Sequence, residues 1–185
     1  MNPSPNLFII GPTGAGKTSI ERRLAAHYRL PFVDLDQEIE RHCGVDVRTV
    51  FEIEGEAGFR QREGALLDAC SQRPGVLVAT GAGAVLDEGN RRHLRERGYV
   101  VWLQTTIEQQ LERLERDHRR PLLAVPDRQQ RLQAMARVRE PIYHELADLT
   151  VPGAHGSVAA ASERCIALID HHWQRPFSTS SKQTA

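Results

Sequence analysis

Apolar residues in this chain fall in short runs separated by longer stretches of helical spacing. LFII (7–10), FVDL (32–35), VLVAT (76–80), YVVWL (99–103) and LTV (149–151) have the length and composition of buried strands. Between them, KTSIERRLAAHYR, EGEAGFRQREGALLDAC, EGNRRHLRERG, TIEQQLERLERD and RQQRLQAMARVRE place apolar residues at helical intervals, and a last helix is predicted over about 157–172. Five strands alternating with helices predict an α/β fold, a parallel sheet with helices on both faces. Two segments break the rhythm. DHRRPLLAVPDR (117–128) carries two prolines between two helices and reads as an excursion from the core. RPFSTSSKQTA (175–185) is polar and rich in Ser and Thr, and reads as a disordered tail. No repeat of 20–50 residues is visible.

Composition narrows the function. The 185 residues suffice for one domain, and 40% of them are hydrophobic and 26% charged, as in a globular protein. Twenty-four Lys plus Arg balance 24 Asp plus Glu, so nothing draws the whole chain to nucleic acid or to an anionic membrane. Anion binding must come from local clusters. Cys43, Cys70 and Cys165 are dispersed and form no CxxC pair, which predicts reduced thiols in a cytoplasmic protein. The start MNPSPNLFII lacks the pattern of a signal peptide, and no run reaches the length of a membrane span.

Lys17 is conspicuous, because Lys182 is the chain's only other lysine. It lies in GPTGAGKT, Gly11–Thr18, which satisfies G-x-x-x-x-G-K-[ST] between a predicted strand and an amphipathic helix. Glycines let successive backbone N–H groups converge on an anion, and the helix N-terminus adds partial positive charge. Lys17 is then placed for the β- and γ-phosphates of ATP, and the Thr18 hydroxyl for Mg²⁺. A glycine-rich turn that only starts a helix is the bland alternative. The GAG tripeptides at 14–16 and 81–83 lack a third glycine at the required spacing, which excludes a dinucleotide fingerprint.

Asp34 and Asp36 close the second predicted strand, where period-two spacing puts both on one face. Ligands of parallel sheets lie beyond the carboxyl ends of the strands. One carboxylate can serve a hard cation, often through water, and another can orient a hydroxyl and accept its proton. Alternatively both are a solvated strand end, or Asp36 caps a helix beginning QEIERHC.

Six segments in fixed order carry a resemblance: the loop Gly11–Thr18, DLD at 34–36, FRQRE at 59–63, TGAGAV at 80–85, RRPLL at 119–123 and REPIYHELAD at 139–148. Over about residues 5–170 the chain resembles shikimate kinase. The resemblance implies a three-layer P-loop kinase fold similar to nucleoside monophosphate kinases. One kinase domain would span 1–174, with an acceptor-binding region at about 34–63 and a lid at about 114–126. It implies transfer of the ATP γ-phosphoryl group to the shikimate 3-hydroxyl, with one Mg²⁺, by a cytoplasmic monomer. Nucleotide contacts would come from Gly14, Ala15, Gly16, Lys17, Thr18, Ser19, Arg113 and Arg120, with Arg113 against adenine. Asp34 would lie near Mg²⁺ through water. Asp36 would hold shikimate hydroxyls and act as base, with Lys17 and Arg120 as its catalytic companions. Arg60 and Arg139 match the carboxylate-binding arginines, a task suited to the guanidinium fork, and Glu63 could steady Arg60.

Gly81, Ala82 and Gly83 match a turn that contacts shikimate largely through its backbone, although the family has Gly at the middle position. Ala82 can serve there only if its φ is negative. The adenine loop around 152–156 admits no residue assignment, and Arg119 is separated from Arg120 only by the family match. Two other readings are weighed. Another small-molecule kinase of the same fold, gluconate-type or nucleoside monophosphate, shares the P-loop. A catalytically silent P-loop module is disfavoured by the intact Lys17, Thr18, Asp34 and Arg120.

Overall fold

The computed structural model describes residues 4–115, 127–153 and 157–174, and of Thr18 only the backbone. The lid residues Arg119 and Arg120, the tail 175–185 and residues 154–156 of the adenine loop lie outside the described residues.

Five parallel strands form one sheet in the order β2-β3-β1-β4-β5. They are β1 (Leu7–Ile10), β2 (Phe32–Asp34), β3 (Leu77–Ala79), β4 (Tyr99–Leu103) and β5 (Leu149–Val151). β1 lies at the centre and all four of its residues are buried. Their side chains alternate between two cores, as a strand period of two requires. Leu7 and Ile9 join Leu24, Cys165 and Ile169 of the helices α1 (Lys17–Tyr28) and α7 (Val158–His172). Phe8 and Ile10 join Leu67, Leu94 and Tyr143 of α3 (Val47–Ser71), α4 (Glu88–Arg97) and α6 (Arg128–Leu146). Two further helices, α2 (Leu35–Cys43) and α5 (Ile107–Leu114), complete the fold.

Short polar side chains start most of these helices. Asp46, Asp87, Asp127 and Ser157 each accept a hydrogen bond from the backbone N–H three residues on, and Thr106 forms a reciprocal capping box with Gln109. Each cap satisfies one of the donors a helix N-terminus leaves open.

Several elements depart from the sequence expectation. β2 ends at Asp34, and Leu35 already belongs to α2. Asp34 and Asp36 therefore do not share a strand face; Asp34 ends the strand and Asp36 occupies the first turn of a helix. The cap of α2 is Asp34, which accepts from the Gln37 N–H at 3.2 Å, and not Asp36. α3 begins seven residues before the expected EGEAGFRQREGALLDAC and is two helical pieces, with Gly55, at φ 69° and ψ −177°, kinking the chain between them. α6 continues past Glu140 through Pro141. The proline has no N–H for the Arg137 carbonyl, but the following turn buries Tyr143 and Leu146 in the second core.

Candidate active site

The site gathers at the carboxyl ends of β1, β3 and β2, in that spatial order. The first and second strands are not neighbours, because β3 separates them. The turn after β3, residues 81–83, thus stands between the phosphate loop and the two aspartates.

In the loop, Gly14 and Gly16 have φ 80° and 79°, left-handed values that disfavour a side chain. Lys17 is the first residue of α1, and its Nζ donates to the Gly11 and Pro12 carbonyls at 2.9 and 2.7 Å. The ammonium thus bridges the mouth of its own loop. Arg113 of α5 donates to the Gly14 carbonyl at 3.0 Å, which fixes an exposed guanidinium against the cradle.

Beyond β3 the backbone is approached closely. A Cβ on Gly83 would overlap the Arg60 guanidinium, and one on Gly81 would overlap the buried Glu63 carboxylate and lie 3.5 Å from Asp36 Oδ1. Glycine is needed there for space. Ala82 meets the condition set for it, since Arg29 is the only non-glycine residue with positive φ among those described. Its carbonyl accepts from the Tyr143 hydroxyl at 2.6 Å, tying the turn to α6.

The arginines converge as well. Arg60 donates to Glu63 at 2.6 Å and to Glu56 at 3.3 Å, and its guanidinium lies 5.1 Å from the centre of the Phe59 ring. Glu63 is fully buried, and burial raises its pKa against the opposing effect of Arg60, with Asp36 raising it further and Arg139 lowering it. Arg139, 7% exposed, has its pKa lowered by burial, and the like charge of Arg60 pushes in the same direction. A second cation near the buried Arg139 favours an anion bound beside it. A shallow cleft lined by Pro12 and Thr13 of the phosphate loop also takes in Arg139 and Tyr143 of α6.

One buried group was not anticipated. Glu21, one turn after Lys17 on α1, is 0% exposed, and neither carboxyl oxygen has a hydrogen-bond partner. Burial pushes its pKa up to about 8; Lys17 opposes this, and Asp34 and Asp36 reinforce it. The only trace in the sequence is an acidic residue on the apolar stripe of Ile20, Leu24 and Ala25.

The shikimate kinase family model matches residues 13–170. The chain belongs to the shikimate kinase family. It is 49% identical over 175 residues to the shikimate kinase of Stenotrophomonas maltophilia strain K279a, covering 95% of this chain and 97% of that relative. It is 46% identical over 167 residues to that of Pasteurella multocida, covering 90% and 95%. The solved shikimate kinase of Acinetobacter baumannii in complex with shikimate superposes with a TM-score of 0.87 at 40% identity, covering 92% of this chain and 95% of that one.

As a family member the chain is an ATP-dependent kinase on a P-loop kinase fold. Of the residues expected from the resemblance, the structure brings Asp36, Arg60, Gly81, Gly83 and Arg139 into one neighbourhood and seats Arg113 and Lys17 on the phosphate loop. Asp34, at the end of β2, pairs in register with Ala79 of β3, two residues before the 81–83 turn. Ala15, beside Gly16, is buried, and Ser19, two residues after Lys17, is exposed. No helix among the described residues is long and apolar enough to cross a membrane.

Glu21 gives a stability prediction. Its folded pKa, about 8, lies above the ordinary 4.5, so the folded state holds a proton that the unfolded state has released between those values. Stability is therefore full below about pH 4.5 and is lost as pH rises toward 8. Glu21→Gln, isosteric with the protonated acid, removes this loss. In EDTA and without nucleotide, its melting temperature should exceed that of wild type by more at pH 8 than at pH 5, by an amount on the order of a few kcal/mol of stability. A difference in melting temperature that does not change with pH refutes the assignment.

Proposed function

We infer that this kinase transfers the γ-phosphoryl group of ATP to the 3-hydroxyl of shikimate. The observation that carries the reading is the pairing of Arg60 and Arg139 beside Asp36 and the 81–83 turn, one cleft away from an intact phosphate loop. Shikimate has a carboxylate for the two guanidiniums and hydroxyls for a carboxylate and backbone amides, and this site offers those groups together.

In the reaction, Lys17 exchanges its loop carbonyls for the β- and γ-phosphates and stabilises the charge that builds there. Asp36 orients the acceptor hydroxyl and takes its proton. Arg60, held by Glu63 and Glu56, and Arg139 fix the acceptor's carboxylate and so the position of its hydroxyl. Arg120 is assigned to the transferring phosphoryl group and Arg113 to the adenine side by family resemblance. A divalent cation fits this site. The nearby donors are hard oxygens, Asp34 and the unpartnered Glu21 carboxyl. Mg²⁺ keeps water molecules and phosphate oxygens as ligands and so takes few from the protein. Asp34 and the Thr18 hydroxyl would hold it, and when bound it neutralises phosphate charge. By resemblance the enzyme acts as a cytoplasmic monomer.

ADP release coupled to a reporter, compared with shikimate, gluconate and nucleoside monophosphates as acceptors, tests the assignment. Turnover with shikimate alone is expected; faster turnover with gluconate or a nucleotide overturns it.

Arg60→Ala and Arg139→Ala should each weaken shikimate binding by about 2–5 kcal/mol, the loss typical of truncating one member of a buried charge pair. ATP affinity should change far less. Calorimetric titration with each ligand decides, and equal losses for both would show that the arginines do not serve the acceptor.

A further inference from the structure

The Glu21 carboxyl is among the oxygens near the cation, but Asp34 and Thr18 would hold the ion and Glu21 has no role of its own there. Among the described residues it is the only one with both carboxyl oxygens buried and unpartnered. Buried polar atoms in folded proteins are nearly always hydrogen-bonded to protein, water or a ligand. An apolar side chain in its place would avoid the penalty of burying it. Its position is specific. It lies on α1, the helix whose N-terminus forms the phosphate cradle, and the charged groups acting on it are Lys17, Asp34 and Asp36. Lys17 acts on it through charge but gives neither oxygen a hydrogen bond. Residues from α1 and the end of β2 thus bring a carboxyl with two open acceptors to the metal side of the site.

We propose that Glu21 is a positioning residue of the metal site, its carboxyl oxygens accepting hydrogen bonds from water molecules held by the divalent cation of the nucleotide complex. Mg²⁺ gives up its water reluctantly, so a site with few direct protein ligands depends on acceptors for that water. Carboxylates behind the immediate ligands orient them and tune affinity, typically by about 10–100-fold. Glu21 supplies such an acceptor from α1, as Asp34 does from the end of β2.

The inference rests on the metal reading of Asp34, and the test separates the two. Mn²⁺ binding to the enzyme–ADP complex is followed by loss of the free-ion paramagnetic resonance signal. Wild type, Glu21→Gln, Glu21→Ala and Asp34→Asn are compared, with ADP affinity measured separately in EDTA. Both Glu21 variants should weaken Mn²⁺ binding by about 10-fold or more, with ADP affinity in EDTA within about two-fold of wild type. Loss of Mn²⁺ affinity in Asp34→Asn alone sinks the role of Glu21 and leaves that of Asp34. Unchanged affinity in all three variants sinks both. A parallel loss of ADP affinity in EDTA also overturns the proposal, because it would mean that Glu21 only supports the cradle. Glu21→Gln keeps the volume of the acid, and Glu21→Ala answers the same question without an amide, so either variant that retains a cooperative melt decides the matter.

Discussion

Lys17→Met should lower the rate of phosphoryl transfer by at least about 10²–10³-fold, the range for losing one preorganised group that stabilises transition-state charge. The fold should survive. The hydrogen bonds of Lys17 to the Gly11 and Pro12 carbonyls lie within its own loop, and Lys17 belongs to neither apolar core, so the substitution leaves the packing of the sheet in place. Methionine fills a similar volume with an unbranched, flexible chain. The melting temperature in the absence of nucleotide should therefore stay close to that of wild type while turnover collapses. Steady-state kinetics at saturating shikimate and ATP provides the check. A variant retaining more than half of wild-type turnover would show that the lysine only closes the loop mouth, as it does without nucleotide.

The parallel sheet was legible because its strands are buried on both faces and so read as unbroken apolar runs, LFII and YVVWL above all. The phosphate loop was legible because each of its constraints is local. Gly14 and Gly16 take left-handed values and Lys17 starts the helix, all within one turn. What the residues alone could not supply was spatial order. Sequence places the Asp34 strand next after the phosphate-loop strand, whereas β3 pairs between them. The 81–83 turn is therefore a wall shared by both halves of the site.

Helix boundaries failed where tertiary packing overrode local signals. Pro141 marks a helix end by its chemistry, but Tyr143 gains a buried position and a bond to the Ala82 carbonyl if the helix continues. Glu21 stayed hidden for a related reason. A glutamate on a predicted amphipathic helix is ordinarily a solvated one, and only the packing of α1 on the sheet reveals it as enclosed. Ala82 illustrates the converse. Its departure from the family's glycine raised a question of φ that the backbone answers, since the close approaches fall on Gly81 and Gly83 and leave the middle position free to carry a methyl group.

The second large effect separates the two aspartates. Asp36→Asn should reduce turnover by about 10²–10⁴-fold, the usual contribution of general-base catalysis, because an amide cannot accept the hydroxyl proton. Binding of nucleotide with Mg²⁺ should be nearly unchanged, since the side chain lies beside Gly81 and Glu63, in the half of the site proposed for the acceptor. Helix α2 should lose only about 0.3–1 kcal/mol from the missing negative charge in its first turn. Asp34→Asn should behave differently. Asparagine caps a helix about as well as aspartate, so the bond from the Gln37 N–H survives in kind and α2 keeps its start. The variant instead removes a charge from the neighbourhood of the cation, and the Mg²⁺ concentration for half-maximal rate should rise. Steady-state rates over a grid of shikimate and Mg²⁺ concentrations distinguish the outcomes. One variant displaces rate at every Mg²⁺ concentration, and the other is rescued as Mg²⁺ increases. Equal Mg²⁺ defects would mean that the two carboxylates form a single metal site, with the proton passing elsewhere. Full activity in both would leave Asp34 as a helix cap and Asp36 as a first-turn carboxylate, with no share in the chemistry.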